Sequence, residues 1–240
     1  MIDWLRASAR DPAITLSGRS VPIALARHPR ARRLTLRLAP DGDSVRITLP
    51  RWCRSADALA FAAARTAWLE AQLAKIPART DPAARGTVRY RGTEVALAWS
   101  PQAPRRPALA AGVLTLGGPP ETRNARIARW LQGEALRMIE ADLDDYCHAA
   151  AVPVPQARLT RAVRRWGSCS TKGIVRINWR LIMAPDAVRR SVVAHEVAHL
   201  RHFDHGPAFH ALLRRLFESD LAAADGWLRT HGRALYAEFG

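Results

Sequence analysis

Lysine is nearly absent from this chain: Lys75 and Lys172 are the only two among 37 basic residues, so almost all of the formal charge of +16 is arginine. Cysteine is scarce as well. Cys53, Cys147 and Cys169 are odd in number and lack C-x-x-C spacing, which argues against a disulfide framework and a cysteine-built zinc site and fits reduced thiols. Long apolar runs are missing, and the longest weakly apolar stretch, near Ala108 to Leu116, is too short to span a bilayer. The opening residues Met1 to Arg6 carry an early acid and lead into no apolar segment of the secretory kind. Aromatics make up 7% of the chain and do not interleave with its arginine clusters as single-strand stacking platforms would. A cytoplasmic globular protein without membrane contact is the expectation, and 240 residues with 48% hydrophobic content suffice for one large core or two small ones. Nothing in the composition speaks to oligomeric state.

What the chain does have is His195-Glu196-Val197-Ala198-His199. Histidines four residues apart project from one helix face and can close on a single metal ion, with the intervening glutamate as acid/base. As a bare string this pattern arises by chance in roughly one of 100 such chains, so its context matters. Pro185-Asp186 reads as a helix start, and Val193, Val197 and Leu200 form an apolar stripe beside the histidine face. Cys169, in the turn-like Gly167-Ser168-Cys169-Ser170, has no readable base beside it and is expected to pack.

Catalytic zinc usually takes three protein ligands and keeps one position open. His205 lies six residues beyond His199, before a Gly206-Pro207 turn that brings it back towards the helix. That is the His-to-His spacing of metzincins, except that His202 stands where they carry a glycine. Glu218 and, more weakly, Asp204 are rival ligands, and imidazole chemistry together with the turn favours His205. Zn²⁺ would make hydroxide available near neutral pH, and Glu196 would take the water proton and pass it to the leaving group.

Arg165-Trp166-Gly167-Ser168-Cys169-Ser170, Gly173 to Leu181, Val193 to Leu200 and His205 to Phe209 together resemble the YgjP-like metallopeptidases, which are similar to the SprT-like and WLM proteases of the zincin-like group. The resemblance is sharp over 158–215 and diffuse over the first 120 residues. It implies one zinc ion, or another divalent metal, on His195, His199 and His205, with Glu196 as catalytic acid/base. His210 departs from the family pattern, which has tryptophan after the Phe209 equivalent; it either replaces a packing aromatic, the favoured reading, or adds a polar group near the site.

Three functions fit these residues: a zinc metallopeptidase acting on protein or peptide, a metal-dependent hydrolase of nucleotide phosphoanhydrides, and a nucleic-acid-binding module with structural zinc. The last needs a fourth ligand, for which His202 is poorly spaced. A protease requires a groove with an unpaired strand edge, whereas a nucleotide hydrolase requires arginine or lysine converging on a compact pocket. Arg164, Arg165, Lys172 and Asn178 flank the motif as candidate substrate contacts. Arginine clusters at 27–33, 161–165, 189–190 and 214–215 suit a polyanion such as nucleic acid, although an Ala- and Arg-rich composition yields them as well.

The expected fold is α+β, with a zincin-like metal-binding helical core and a small sheet over 121–240 preceded by a β-rich lobe with one helix over 1–120. Strand character runs through Val21 to Leu25, Arg33 to Leu38, Val45 to Leu49, Thr87 to Trp99 and Val113 to Leu116, with an Asp41-Gly42 turn. One helix is expected from Ser55 to Lys75 and a long one from Glu121 to Ala150. A hairpin of Ala157 to Trp166 with Ile174 to Leu181 follows; the resemblance implies that its second strand is either an edge for an extended substrate or a strand in plain core pairing. The metal helix and helices near Pro207 to Phe217 and Leu221 to Phe239 complete the chain.

Overall fold

A computed structural model describes residues 12–76, 78 and 80–239, so the opening Met1 to Arg6 segment lies outside the described residues. The chain is mixed α and β and divides into two compact units, Met1–Pro77 and Ala78–Gly240. The division falls there rather than near residue 120 because Val88, Val95, Leu114 and Leu116 share one core with Ile127 and Leu131. No described helix is long and apolar enough to cross a membrane.

The first unit contains β1 (Ala13–Leu16), β2 (Arg19–Arg27), β3 (Thr35–Leu38) and β4 (Val45–Leu49), in the order β1-β2-β4-β3. Val45, Ile47 and Leu49 alternate inward along β4 and meet Leu16, Val21 and Leu69 in a separate core. Gly42 makes the β3–β4 turn at φ +75°, where a Cβ would also fall 2.7 Å from a Leu73 methyl. The single helix expected over Ser55 to Lys75 is two, α1 (Ser55–Ala63) and α2 (Thr66–Leu73). The break follows from Thr66, whose hydroxyl donates to the Ala63 carbonyl and draws the chain out of the helical ladder.

The second unit opens with α3 (Pro82–Arg85) and the strands β5 (Thr87–Tyr90), β6 (Thr93–Trp99), β7 (Ala108–Ala110) and β8 (Val113–Leu116), ordered β5-β6-β8-β7. Next comes the 28-residue α4 (Arg123–Ala150), whose stripe of Ile127, Leu131, Ala135, Ile139 and Leu143 is buried at helical spacing. A second sheet holds β9 (Ala157–Thr160), β10 (Gly167–Cys169) and β11 (Val175–Asn178) in the order β10-β11-β9. The hairpin therefore joins β10 and β11, not 157–166 with 174–181, and β9 lies parallel on the other side of β11. Its tight turn explains the pairing: Gly173 adopts φ +70° and donates to the Ser170 carbonyl, while the Ser170 hydroxyl accepts from the Ile174 amide. A 3-10 turn over Trp179–Met183 leads into α5 (Asp186–His199), α6 (Pro207–Leu216) and α7 (Leu221–His231), with a final 3-10 turn over Gly232–Tyr236.

Ion pairs clamp α5 to α4. Arg189, on α5, is nearly fully buried and donates to Asp142 on α4 at 2.7 Å, and its second nitrogen reaches Asp186 in its own first turn. Arg190 bonds Asp142, Asp145 and Glu218 while lying over the Tyr146 ring at 4.7 Å. Glu218 also accepts from the Tyr146 hydroxyl at 2.7 Å. Burial by itself would raise the Asp186 and Glu218 carboxyls, but bonds from Arg91 and Arg189 to the first and from Arg190 and Tyr146 to the second hold both below their ordinary values.

Breaking a buried ion pair from one side leaves a charge without its partner, which costs about 3–5 kcal/mol, whereas an apolar replacement of both sides is often neutral. Asp142→Ala is accordingly expected to destabilise the protein by about that amount, and Asp142→Leu with Arg189→Leu by much less. Denaturant unfolding of the three proteins measures the difference, and a single variant as stable as wild type would contradict the clamp.

Candidate metal centre

Helix α5 ends at His199 because the chain must turn: Leu200 to Gly206 form a loop, and Pro207 restarts a helix at a position where its missing N–H is harmless. That loop returns His205 to the end of α5. The His199 and His205 Nε2 atoms lie 3.2 and 3.4 Å from His195 Nε2, and a ligand atom of each of the three residues falls within 4.8 Å of the others. No other group of three or more possible ligands converges among the described residues. The rivals lie elsewhere: Glu218 belongs to the Arg190 and Tyr146 network, and Asp204 is outside the cluster.

The three rings are held from behind. His199 Nδ1 lies 3.0 Å from the His202 carbonyl, so its N–H donates there and Nε2 keeps its lone pair for the shared point. His202 thus contributes its backbone to the site. Phe209, fully buried on α6, meets the imidazoles of His195, His199 and His205 at centroid distances of 4.9, 4.6 and 4.8 Å. Burial, then the neighbouring His199, His205 and His210, hold His195 down to about 4, so it is a neutral donor. Two nitrogens each about 2.0–2.1 Å from one ion at a tetrahedral angle are about 3.3–3.4 Å apart. The two short separations match that figure, so three converging imidazoles fit a divalent transition ion.

Glu196 faces the opposite wall. It is 5% exposed, and burial pushes its carboxyl up to about 7, against the Cys169 amide that donates to it and the nearby charge of Arg165. The β10 strand runs directly against it. Gly167 approaches so closely that a Cβ there would fall 2.4 Å from Glu196 Oε1. In the β10–β11 ladder the Asn178 amide donates to Trp166 and the Ser170 amide to Ile174, so even positions bond β11 while Gly167 and Cys169 turn their backbone groups outward. The outer edge of β10 is therefore unpaired with any strand and borders Glu196. Of the two roles open to β11, substrate edge or core pairing, it takes the second, as the central strand.

A cavity of about 600 Å³ adjoins His195, Glu196 and Gly167, with Trp166, Val192, Leu213, Leu221 and Leu228 among its walls. His210 lines it too. This side chain is exposed beside the site, not packed in place of an aromatic, because its position on α6 points away from the core that Phe209 fills. Among the described residues no arginine or lysine lines this cavity.

The four candidate substrate contacts separate clearly. Asn178 is fully buried and structural: its amide donates to the Ala162 carbonyl and lies 3.1 Å from the Tyr236 hydroxyl, while its oxygen accepts from the Arg180 amide. A substrate has no access to it. Lys172 stands exposed at the β10–β11 turn, and Arg164 is exposed on the preceding loop. Only Arg165 is near enough for its charge to act on Glu196. The Cys169 thiol is raised by burial and by Glu196, so it stays protonated, and packing describes it. Gly167 was not singled out as a site residue, although glycine within a strand is a signal of close backbone approach.

Gly167→Ala is expected to displace the Glu196 carboxylate, and a misplacement of about 1 Å in a catalytic group costs about 100-fold in turnover. Metal content should be unchanged. A Gly167→Ala protein that turns over substrate at the wild-type rate would show that this contact does not position Glu196.

The sequence model of the YgjP-like metallopeptidase domain matches residues 32–231. No curated protein and no solved structure gives a significant match.

Proposed function

The chain belongs to the YgjP-like family of metallopeptidase domains, and from that premise we propose that it is a zinc-dependent peptidase with a zincin-like core. The observation that carries the peptidase reading is the wall beside the histidines: an unpaired strand edge and a largely apolar cavity that, among the described residues, no arginine or lysine lines. A nucleotide hydrolase needs cations around the phosphates it cleaves, and among the described residues Arg165 alone is a cation whose charge acts on Glu196. A structural zinc module needs a fourth ligand, and three histidines converge.

His195, His199 and His205 would hold the ion. When bound, zinc supplies Lewis acidity, acidifying water and polarising a carbonyl oxygen. An extended peptide would pair with the outward amide and carbonyl of Gly167 and with the Cys169 carbonyl, the Cys169 amide being taken by Glu196, which fixes its scissile bond against Glu196 without reading its side chains. Glu196 would accept a proton from the attacking water on its carboxylate and donate it to the departing amine, the Cys169 amide holding the carboxylate in line. The apolar walls would take a hydrophobic side chain of the substrate and exclude bulk water.

Turnover of a denatured protein, a DNA-bound protein and nucleoside triphosphates by the zinc-loaded enzyme separates the readings. The expected outcome is peptide-bond cleavage that falls about 100-fold or more in Glu196→Gln with zinc retained. Cleavage confined to triphosphates, or an unimpaired Glu196→Gln enzyme, would overturn the proposal.

A further inference from the structure

Away from the metal site, the loop before β7 and one face of α4 enclose a cavity of about 740 Å³ in the second unit. Arg105 and Arg106 stand on one wall, with Arg126, Arg129 and Trp130 on the other. The side chains of Arg105, Arg106 and Arg129 make no hydrogen bond or ion pair with any described residue. Arg126 donates one nitrogen to the Gly117 carbonyl at 2.6 Å, and Arg137 pairs with Glu134, whose carboxylate also accepts from Tyr90. The acid in this cavity is therefore already matched and the surplus is positive.

From Arg126 to Arg137 the arginine face of α4 extends about 16 Å at 1.5 Å per residue, longer than one phosphate group. Trp130 sits within that face, backed by Tyr90 at a centroid distance of 5.0 Å. Arg126, Arg129 and Trp130 are near neighbours in the sequence, and the fold adds Arg105 and Arg106 from a separate loop. Gly133 also lines the cavity, and a Cβ added there would meet nothing within 4 Å. Mid-helix glycine is unfavourable, and here it leaves open floor beside the arginines.

We propose that this cavity binds a segment of single-stranded nucleic acid, with successive phosphates on Arg105, Arg106, Arg126 and Arg129 and a base against Trp130. Guanidinium forks suit phosphate oxygens, and an aromatic plane accepts any base. The site is independent of the peptidase reading.

The test is fluorescence anisotropy of a short labelled oligothymidylate titrated with the full chain from low to physiological salt. Four neutralised phosphates give a slope of log K against log salt of about −3, and Arg105→Ala with Arg129→Ala should reduce its magnitude by about 1.4 and weaken binding about tenfold or more. Gly133→Trp keeps the charge and should block the floor with a similar loss, while Gly133→Ala, which favours the helix, should bind like wild type. Circular dichroism checks that each variant folds. Glu196→Gln should bind like wild type, so failure of the peptidase reading leaves this one intact. The proposal is overturned if the arginine or Gly133→Trp variants bind as wild type, if no binding occurs at low salt, or if polyglutamate or a duplex of equal length binds as tightly.

Discussion

Imidazole nitrogens of His195, His199 and His205 are turned towards one point, with separations of 3.2 and 3.4 Å from the first to the other two. Lone pairs at that distance repel unless a cation or proton lies between them, so the rings must be restrained by their surroundings. Each restraint can be named. The His202 carbonyl holds His199, Phe209 supports all three rings, and the Arg189 and Asp142 pair fixes α5 against α4. The same crowding reaches the other side of α5, where Gly167 carries no side chain because the Glu196 carboxyl occupies the space.

Local chemistry was legible in the sequence and long-range pairing was not. The spacing of His195 and His199 dictates a shared helix face whatever surrounds it, and Gly206-Pro207 marks a stop and restart that the chain obeys. Likewise the α4 stripe from Ile127 to Leu143 declares its period. Strand order carries no such mark. That β10 is an edge and β11 central depends on β9 arriving in parallel from before the hairpin, a partnership that alternation within Val175–Asn178 does not encode. Asn178 misleads for a related reason, since an amide near a motif looks the same whether it faces substrate or, as here, caps a 3-10 turn inside the core. His210 runs the other way: of its two readings the less favoured one holds, and it lines the cavity beside the site because Phe209 already fills the inward position.

The arginine excess divides into two populations with different physics. Arg189 and Arg190 look like part of a basic surface in the sequence, yet they are bound into carboxylate networks that hold the metal helix in place. Arg91 likewise joins Asp186 at the first turn of α5. Arg105, Arg106 and Arg129 have no such partners among the described residues and face a shared cavity. A net charge of +16 thus combines cations that build the fold with cations free to meet a ligand, and only the fold tells them apart.

The central claim is that three imidazoles of this chain, and no other side chain, hold one zinc ion. Zinc K-edge X-ray absorption of the zinc-loaded protein tests it most directly. Three imidazole nitrogens at about 2.0–2.1 Å are predicted, with imidazole scattering reduced by about a third in His205→Ala. A shell containing sulfur, or one that His205→Ala leaves unchanged, would contradict it.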